Sequence, residues 1–321
     1  MENQMISVII PIFNRIDYLN KSVDSVLEQK NVNIELILID DGSTDGSSDV
    51  IDSYAARLKN VVAIHQPNQG LSAARNAGLD ICKGKYIFFL DSDDYIENGA
   101  LLRLLKIITE NDTDIVIGKY SRYLENGTLE YENHIPDNLK NKVLDKRELL
   151  SLMYIENSYL WCVAWGKLYR REVFDNIRFP VGKASEDEFI MPQILEKIKS
   201  IYLLDEELYH QTLSANSIVR SSITVKKLDA TEAILYMIDY LIEHDLYELA
   251  LFRFGVGTRH LMKWKSETND KEILNGINEQ YRLYKKRAKT MLAHVDFLDR
   301  VRLILFCINF NLYSYIRNVI K

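Results

Sequence analysis

Apolar runs alternate with helical periodicities along the first 120 residues of the chain. Short β-branched runs predict buried strands, and apolar residues at helical spacing predict helices between them. The expected strands are Ile6–Ile12, ended by Pro11, Glu35–Ile39, Val61–His65, Lys85–Leu90 and Asp114–Gly118. The expected helices are Ile16–Gln29, a helix capped by Asp45 or Ser47, Leu71–Cys82 and Leu101–Thr109. This alternation predicts an α/β fold, Rossmann-like, with a mostly parallel sheet and helices on both faces.

The second half of the chain is less regular. Residues 124–142 are polar and aperiodic, which predicts a loop over the sheet. A helix is expected at Glu186–Lys197 and a late strand at Ser200–Leu204, and from about Lys226 the pattern is purely helical. We therefore expect an α/β domain over residues 1–220 and a helical C-terminal region over residues 221–321.

Composition and charge limit the classes of function that are compatible with the sequence. The chain has 321 residues, 47% of them hydrophobic, which is enough for substantial cores. A net charge of −6 disfavours a nucleic-acid partner. Three isolated cysteines support neither a zinc site nor a disulfide framework. No secretion signal is recognised, and the longest late apolar run, 303–308, is too short to span a bilayer, so we expect a cytoplasmic protein.

A cluster of carboxylates directly follows the apolar run Ile87–Leu90. Ligands of open α/β sheets bind at the carboxyl ends of strands, where Asp91, Asp93 and Asp94 are expected to lie. Three like charges need a positive partner, and a hard divalent cation fits them. The alternative is a strand-end turn that caps the next helix, because aspartate is also common there. This segment alone leaves both interpretations open.

Four segments in order and register carry a family resemblance. They are Ser7-Val-Ile-Ile-Pro-Ile-Phe-Asn14, Ile39-Asp-Asp-Gly-Ser-Thr-Asp45, Asn68-Gln-Gly-Leu-Ser-Ala-Ala-Arg-Asn-Ala-Gly78 and Gly84-Lys-Tyr-Ile-Phe-Phe-Leu-Asp-Ser-Asp-Asp94. Together they resemble the family 2 glycosyltransferases of the GT-A fold. The match is strong over residues 1–120 and weaker at 165–169 and 185–189. It implies a nucleotide-sugar half at 1–120 and an acceptor half at 121–220.

The resemblance implies an inverting glycosyltransferase that makes a single displacement. The donor would be a UDP-sugar or a similar nucleotide-diphosphate sugar, assisted by Mn²⁺ or Mg²⁺. The acceptor would be a hydroxyl of a glycan, glycolipid or glycoprotein in bacterial surface-polysaccharide or glycoconjugate synthesis. This setting rests on family analogy.

The resemblance also assigns residues to the donor. Nucleotide-sugar binding falls to Pro11, Asn14, Asp40, Asp41, Asn68, Arg75, Asp91, Ser92 and Asp93. The first two would lie along base and ribose, and an aspartate of the Asp40–Asp41 pair would accept the uracil N–H. Arg75 would either contact the phosphates or hold the Asp-x-Asp carboxylates. Asp93 is the expected direct metal ligand, whereas Asp91 would reach the ribose, the sugar or a metal-bound water.

Further roles concern the acceptor half. Asp187 matches the family's general base, although acidic residues are also common in a helix's first turn. Trp165 and Lys167 would contact the acceptor, with burial in the core as the alternative. His210 would be a further metal ligand or a surface histidine, and here the chain departs from the Tyr-Arg that is more common in the family.

The C-terminal region has a strongly basic segment. Residues 281–302 contain seven Lys/Arg and two Asp/Glu, and apolar positions are interleaved. Such helices pack on the catalytic domain, pair two chains into a homo-oligomer, or lie peripherally on an anionic membrane. The sequence leaves these three partners open.

The sequence disfavours three rival functions. A nucleotidyltransferase would be expected to have a glycine-rich loop after the first strand, as would a nicotinamide dehydrogenase, and Ile12-Phe-Asn-Arg-Ile16 has no glycine. A non-catalytic partner subunit of the same fold is disfavoured because Asp91, Asp93 and Asp187 are all present.

Overall fold

The computed structural model describes residues 4–155, 159–213, 223–311 and 313. The chain divides into two compact units. The first contains residues 1–182 and 193–220, and the second contains residues 183–192 and 221–321. None of the helices in these described ranges is both long and apolar enough to cross a membrane.

The elements alternate through the first unit and become helical in the second. The strands are β1 (Ile6–Ile12), β2 (Ile34–Asp40), β3 (Val61–His65), β4 (Tyr86–Phe89), β5 (Tyr95–Ile96), β6 (Ile115–Leu124), β7 (Leu129–Glu132), β8 (Lys142–Leu144), β9 (Lys167–Arg170) and β10 (Ile201–Leu213). The helices are α1 (Ile16–Leu27), α2 (Ser47–Arg57), α3 (Leu71–Ile81), α4 (Ala100–Glu110), α5 (Lys146–Ser151), α6 (Glu186–Lys197), α7 (Asp229–Glu243), α8 (Tyr247–Glu267), α9 (Lys271–Met291) and α10 (Phe297–Ile308). The predicted α/β fold with a C-terminal helical region is confirmed.

The sheet of the first unit has the order β3-β2-β1-β4-β9-β6-β10-β5. Strands β3, β2, β1 and β4 run parallel, as do β6 and β10. Strand β9 joins these two groups through antiparallel pairing on both of its sides. Because all residues of β1 are buried, the apolar run that predicted it lies at the centre of the sheet. The carboxyl ends of β1, β2 and β4 consequently meet at one edge.

Pro11 lies inside β1 and does not follow it, so the expectation that proline ends this strand was wrong. Strand β1 pairs with β2 as far as Ile12 but with β4 only as far as Ile9. The missing N–H of proline is tolerated because β1 extends beyond β4 at this position.

The polar stretch 124–142 is more ordered than its pattern predicts. It contains β7, which pairs antiparallel with β6, and it leads into β8, which pairs antiparallel with β10. The residues of β7 are half-buried or exposed, so they have no apolar alternation that would reveal a strand. Strand β10 also continues nine residues beyond the expected Leu204, through a bulged and polar segment.

Helix α3 packs closely on β1. A side chain at Gly78 would collide with the Ile9 side chain, so glycine is required for this approach. Asn76 on the same helix donates from Nδ2 to the Phe179 carbonyl (2.8 Å) and accepts from the Phe179 N–H at Oδ1 (2.8 Å). The helix is therefore fixed to the sheet on one side and to the 176–182 segment on the other.

The second unit is a helical assembly with its own core. Buried residues of α7, α8, α9 and α10 supply it, and Phe306 lies edge-on to Phe254 with ring centroids 4.9 Å apart. The Tyr284 hydroxyl donates to the Thr231 carbonyl, 2.9 Å away, and joins α9 to α7. Arg287 and Asp239 form an ion pair between the same two helices.

Candidate functional site

Acidic side chains follow β4 at the edge where the carboxyl ends of the parallel strands meet. Asp91 Oδ1 is 2.9 Å from Arg75 Nη2, and Asp93 Oδ2 is 3.3 Å from Arg15 Nε. Asp94 points inward, where its Oδ2 accepts from the Tyr209 hydroxyl (2.6 Å) and its Oδ1 from the Thr212 N–H (2.8 Å). The three carboxylates therefore have three different sets of partners.

Two of these carboxyl groups are held in surroundings that disfavour their charge. Burial raises the pKa of Asp93, and the Asp91 charge raises it further against the opposing effect of Arg15. Burial, together with Asp93 and Asp91, raises the pKa of Asp94 despite its two hydrogen bonds. A cation bound beside the acidic turn would oppose these shifts, because it favours the charged form of a carboxyl group.

Arg75 contacts the acidic turn from the buried side. Its side chain is only 1% exposed, and its guanidinium lies 5.3 Å above the Phe179 ring while it pairs with Asp91. Of the two roles considered for Arg75, holding the carboxylates is the one its contacts match. A phosphate contact stays a prediction.

Arg15 belongs to the same cluster, and the sequence interpretation missed it. The preceding residue, Asn14, has a positive φ of 52°, and its conformation is fixed by bonds with the Ser43 hydroxyl (3.0 Å) and the Thr44 N–H (2.8 Å). This turn directs Arg15 toward Asp93. The only signal in the sequence was the position of Arg15, immediately after Asn14.

Asp40 and Asp41 are both buried and are already engaged. Burial would raise the pKa of Asp40, but hydrogen bonds from Ser43, Ser48 and His65 lower it overall. Asp41 accepts from Gln66 Nε2 (2.7 Å) and from the backbone N–H groups of Gln69 (2.9 Å) and Gly70 (2.7 Å). These bonds fix the loop between β3 and α3, and recognition of a base by either aspartate stays a prediction.

Asn68 lies exposed in this same loop. A side chain at Gly42, whose φ is +80°, would come within 2.9 Å of the Asn68 backbone nitrogen. This close approach requires glycine at position 42. It also places Asn68, which is predicted to bind the donor, beside the turn that follows β2. Ser92, by contrast, is buried within the acidic turn.

Tyr209 on β10 is a second residue that the sequence did not reveal. Its hydroxyl donates to Asp94 and accepts from the Asp91 N–H at 3.2 Å, so it joins both ends of the acidic turn. Trp165 stacks on its ring with centroids 4.6 Å apart, and the Trp165 side chain is buried. Lys167 is also buried, at 2% exposed. Trp165 packs against the residue that holds the turn, Lys167 is buried in β9, and the predicted contact of both with an acceptor stays a prediction.

His210 lies on β10 among aromatic and acidic neighbours. Its Nε2 is 2.7 Å from Glu97 Oε1, and its Nδ1 lies 3.2 Å from Glu207 Oε1 without hydrogen-bond geometry. The Tyr95 ring stacks on it with centroids 4.6 Å apart. The ring is therefore buried and enclosed by carboxylates, which does not match the surface alternative, and its role as a metal ligand stays a prediction.

Asp187 lies in the first turn of α6, within the second compact unit. Ser185 before it has a positive φ of 59°, an uncommon conformation for a residue with a side chain. Lys183 Nζ bonds to Asp229 (3.1 Å) and Glu232 (2.6 Å) of α7, and Glu188 forms an ion pair with Arg253 of α8. The helical unit therefore holds the segment around Asp187 from both sides.

Charged residues near Asp187 are held in ion pairs. The charge of Glu188, the residue that follows Asp187, is paired with Arg253. Burial raises the pKa of Glu188, and Arg253 opposes that effect. Burial alone would lower the pKa of Lys183, and its bonds to Glu232 and Asp229 raise it overall.

A divalent cation at this edge would need ligands from these side chains. Among the residues that the structure describes, no group of three or more His, Cys, Asp or Glu side chains is arranged to hold a metal ion. Mg²⁺ and similar ions often take only one or two carboxylates and complete their shell with substrate phosphates and water. The carboxylates of Asp91 and Asp93 are partly exposed and adjacent in the acidic turn, and they fit that mode of binding.

Comparison with known proteins identifies the class. The family model described as "Glycosyl transferase family 2" matches residues 7–178, more than half of the 321-residue chain. The chain therefore belongs to glycosyl transferase family 2 and is a glycosyltransferase.

Two relatives come from Streptococcus pneumoniae. Glycosyltransferase GlyA is 34% identical over 67% of this chain, and glycosyltransferase GlyG is 32% identical over 68% of it. The matched region spans 31% of GlyA and 74% of GlyG. A third relative, the uncharacterized glycosyltransferase EpsJ of Bacillus subtilis, is 34% identical and is spanned over 62% of its length. The chain thus corresponds to less than two thirds of some relatives.

The fold also matches a solved structure over nearly its whole length. Residues 1–349 of S. aureus TarS superpose with a TM-score of 0.73 at 20% identity, covering 98% of this chain and 90% of that one. The same TarS fragment has been solved in complex with UDP-GlcNAc and with UDP. At this identity the similarity concerns the fold.

Proposed function

We propose that this glycosyltransferase transfers a sugar from a nucleotide-diphosphate sugar, a UDP-sugar in the first instance, to an acceptor hydroxyl. The acceptor would be a glycan, glycolipid or glycoprotein of polysaccharide or glycoconjugate synthesis. Family membership supports the reaction class. The TarS fragment, which shares the fold, supports the donor because it has been solved with UDP-GlcNAc and UDP.

The observation that carries the proposal is the acidic turn after β4. Asp91 and Asp93 lie at the carboxyl edge of the sheet, each paired with an arginine, and burial and the Asp91 charge raise the pKa of Asp93, an effect that a further positive charge would oppose. A diphosphate with its cation would supply that charge, whereas a turn that only caps a helix would need no such arrangement. The end of β2, which carries Asp40, and the loop that carries Asn68 border the same edge and would contact the nucleoside.

Asp93 would hold the Mn²⁺ or Mg²⁺ directly, and Asp91 would reach the ribose, the sugar or a metal-bound water. When bound, the cation would neutralise charge on the departing diphosphate. Arg75 and Arg15 would keep the two carboxylates oriented. His210 is a weaker candidate for the same ion because Glu97 and Glu207 already enclose it.

Asp187 would act as the general base in an inverting displacement. It would accept the proton of the acceptor hydroxyl as that oxygen attacks the anomeric carbon and the nucleotide diphosphate leaves. The ion pairs of Lys183 with α7 and of Glu188 with α8 support this role, because a base must be held in a defined position.

A donor panel tests the proposal, with purified protein and release of nucleotide diphosphate as the readout. Asp93→Ala should abolish metal-dependent binding of UDP in calorimetry. Asp187→Asn should retain UDP binding while the transfer rate falls by about 10²–10⁴-fold. Asp137→Asn, a change at a carboxylate that is 92% exposed, is the matched control and should behave like the parent protein.

The outcomes separate the alternatives. Release of pyrophosphate from a nucleoside triphosphate and a sugar 1-phosphate, without release of nucleotide diphosphate from the donor panel, would identify a nucleotidyltransferase. Absence of both donor binding and donor hydrolysis across the panel would indicate a non-catalytic partner subunit. A normal transfer rate for Asp187→Asn would remove the base assignment.

The domain assignment belongs to the same proposal. Residues 1–220 would form the catalytic domain, with donor contacts from 1–120 and acceptor contacts from 121–220, and residues 221–321 would form a helical region. The two compact units of the structure differ from this domain assignment in one respect, since residues 183–192 group with the helical region. We propose a cytoplasmic location, with homo-oligomer and peripheral membrane contact as the candidate associations of the basic helices.

A further inference from the structure

Helix α10 has a continuous apolar stripe on its exposed side. The exposed fractions are 75% for Phe297, 65% for Leu298, 39% for Val301, 42% for Ile304 and 67% for Ile308. At about 100° per residue these positions fall within roughly one third of the helix circumference. The stripe is therefore one surface of the helix.

The opposite side of α10 is used for packing within the second unit. Leu303 and Phe306 are buried, and the Phe306 carbonyl accepts from the Tyr281 hydroxyl of α9 at 2.8 Å. The stripe is thus additional to the face that attaches the helix to its own core. Packing within the helical unit therefore accounts only for the inner face of α10.

Basic residues flank the stripe. Arg300 and Arg302 are exposed and, by helical position, lie on opposite edges of it. On one side the helix meets α9, where Cys307 Sγ lies 3.8 Å from the Lys285 carbonyl. Residues 281–302 contain seven Lys/Arg and two Asp/Glu, a local charge of +5. An apolar strip between cations matches the headgroup region of a bilayer, where arginine reaches the phosphates while apolar side chains enter the acyl boundary.

We propose that the α10 stripe is a docking surface for an anionic lipid bilayer, with the helix lying in the plane of the interface. Self-association through this face would bring two clusters of +5 together, so charge favours the lipid surface over a second copy. The proposal concerns attachment only and does not depend on the donor or acceptor of the transfer reaction.

Vesicle sedimentation with the full chain tests the surface. Binding is expected to phosphatidylcholine vesicles containing phosphatidylglycerol, and weaker binding to phosphatidylcholine alone, with a decrease on adding salt. Phe297→Ser/Leu298→Ser should weaken binding about tenfold or more. Leu129→Ser/Val181→Ser removes two exposed apolar side chains of the first unit and should bind like the parent.

The charge contribution has its own variant. Lys285→Gln/Lys289→Gln should weaken binding to the anionic vesicles about tenfold and leave binding to neutral vesicles unchanged. Equal affinity for neutral and anionic vesicles, or no vesicle binding at all, would overturn the proposal.

Insertion can be followed spectroscopically. The three native tryptophans, Trp161, Trp165 and Trp264, are all buried, so Phe297→Trp introduces an exposed reporter. Its emission should shift to the blue and be quenched by brominated acyl chains. Analytical ultracentrifugation of the full chain without lipid tests whether a second copy of the chain occupies the stripe instead. A dimer that Phe297→Ser/Leu298→Ser dissociates would assign the stripe to a second copy and refute the lipid surface.

Discussion

The charge of the acidic turn is controlled by single side chains. Arg75 is buried and pairs with Asp91, whereas Arg15 is half-buried and pairs with Asp93 at a longer distance. The Arg75 pair is consequently the structural one, and the Arg15 pair is open to exchange with solvent or ligand.

Replacing Arg75 should reveal this difference. Arg75→Met should destabilise the first unit by about 3 kcal/mol, because Asp91 loses its buried partner. Arg75→Met/Asp91→Asn should recover part of the loss, since the uncompensated carboxylate is then removed. Urea unfolding of the parent, Arg75→Met, Asp91→Asn and the double variant measures the coupling energy between the two side chains. Strictly additive changes in the free energy of unfolding would refute the pairing.

His65 should give stability a defined pH dependence. Hydrogen bonds with Asp40 and Asp52 raise the pKa of His65 above its unfolded value of about 6.5. Its contribution is therefore fully present below about pH 6.5 and is lost as the pH rises through the raised folded value. Because the ring is 43% exposed, screening limits the effect to about 0.5 kcal/mol. Thermal unfolding of His65→Gln and the parent should differ at about pH 6 and converge near pH 9; a gap that widens with pH would contradict this assignment.

The sequence located the aspartates but not all their partners. Asp91 and Asp93 follow an apolar strand, and this local pattern is sufficient to predict an edge position. Tyr209 reaches Asp94 over a sequence separation of 115 positions, and nothing in its own neighbourhood indicates that contact. Arg15 was missed for a related reason, since its direction depends on the backbone conformation of Asn14.

Helix α3 connects the sheet to the site because it carries Arg75 while packing on β1. The contact depends on Gly78, where an added methyl group would meet the β-branched Ile9 side chain. In α9, Gly276 faces only the far end of the flexible Leu228 side chain. The two helical glycines thus form a matched pair.

Alanine at these two positions should have different effects. Gly78→Ala should destabilise the protein by about 1–3 kcal/mol through overpacking. Gly276→Ala should be near neutral, because helix propensity offsets the small rearrangement of Leu228. Differential scanning calorimetry would compare the two variants, and an equal loss in both would show that close packing is not what requires glycine in α3.

Elements with buried faces were predictable, and elements defined by their partners were not. Strands β1, β2 and β4 are buried on both faces and mostly apolar, so their own residues indicate them. Strand β7 is half-buried or exposed and exists only because β6 offers an edge. The polar part of β10 is likewise held by pairing with β6 across a bulge.

The division of the molecule assigns a short acidic segment to the helical unit. Residues 183–192 group with 221–321, and the Lys183 and Glu188 ion pairs explain that grouping. A helical region predicted as an appendage therefore determines where Asp187 is held. The sequence could not show this, because the ion pairs join residues 46 to 65 positions apart.

Weakening the Glu188–Arg253 pair should separate donor binding from transfer. Glu188→Gln should lower the stability of the second unit by about 3 kcal/mol, since buried Arg253 loses its carboxylate. UDP affinity should remain unchanged while the transfer rate falls. Glu243→Gln, an exposed change on α7, is the control. Parallel loss of UDP binding in calorimetry would contradict the separation.

The phenol of Tyr209 has a consequence for exchanging segments between members of the family. It closes a ring of contacts in which one strand holds both ends of the acidic turn. Chimaeras that contain β10 of another family member should therefore keep the acidic turn formed only where that strand supplies a hydroxyl at the position of Tyr209. Compatibility of a donor-binding half with a new acceptor half would then depend on one oxygen atom.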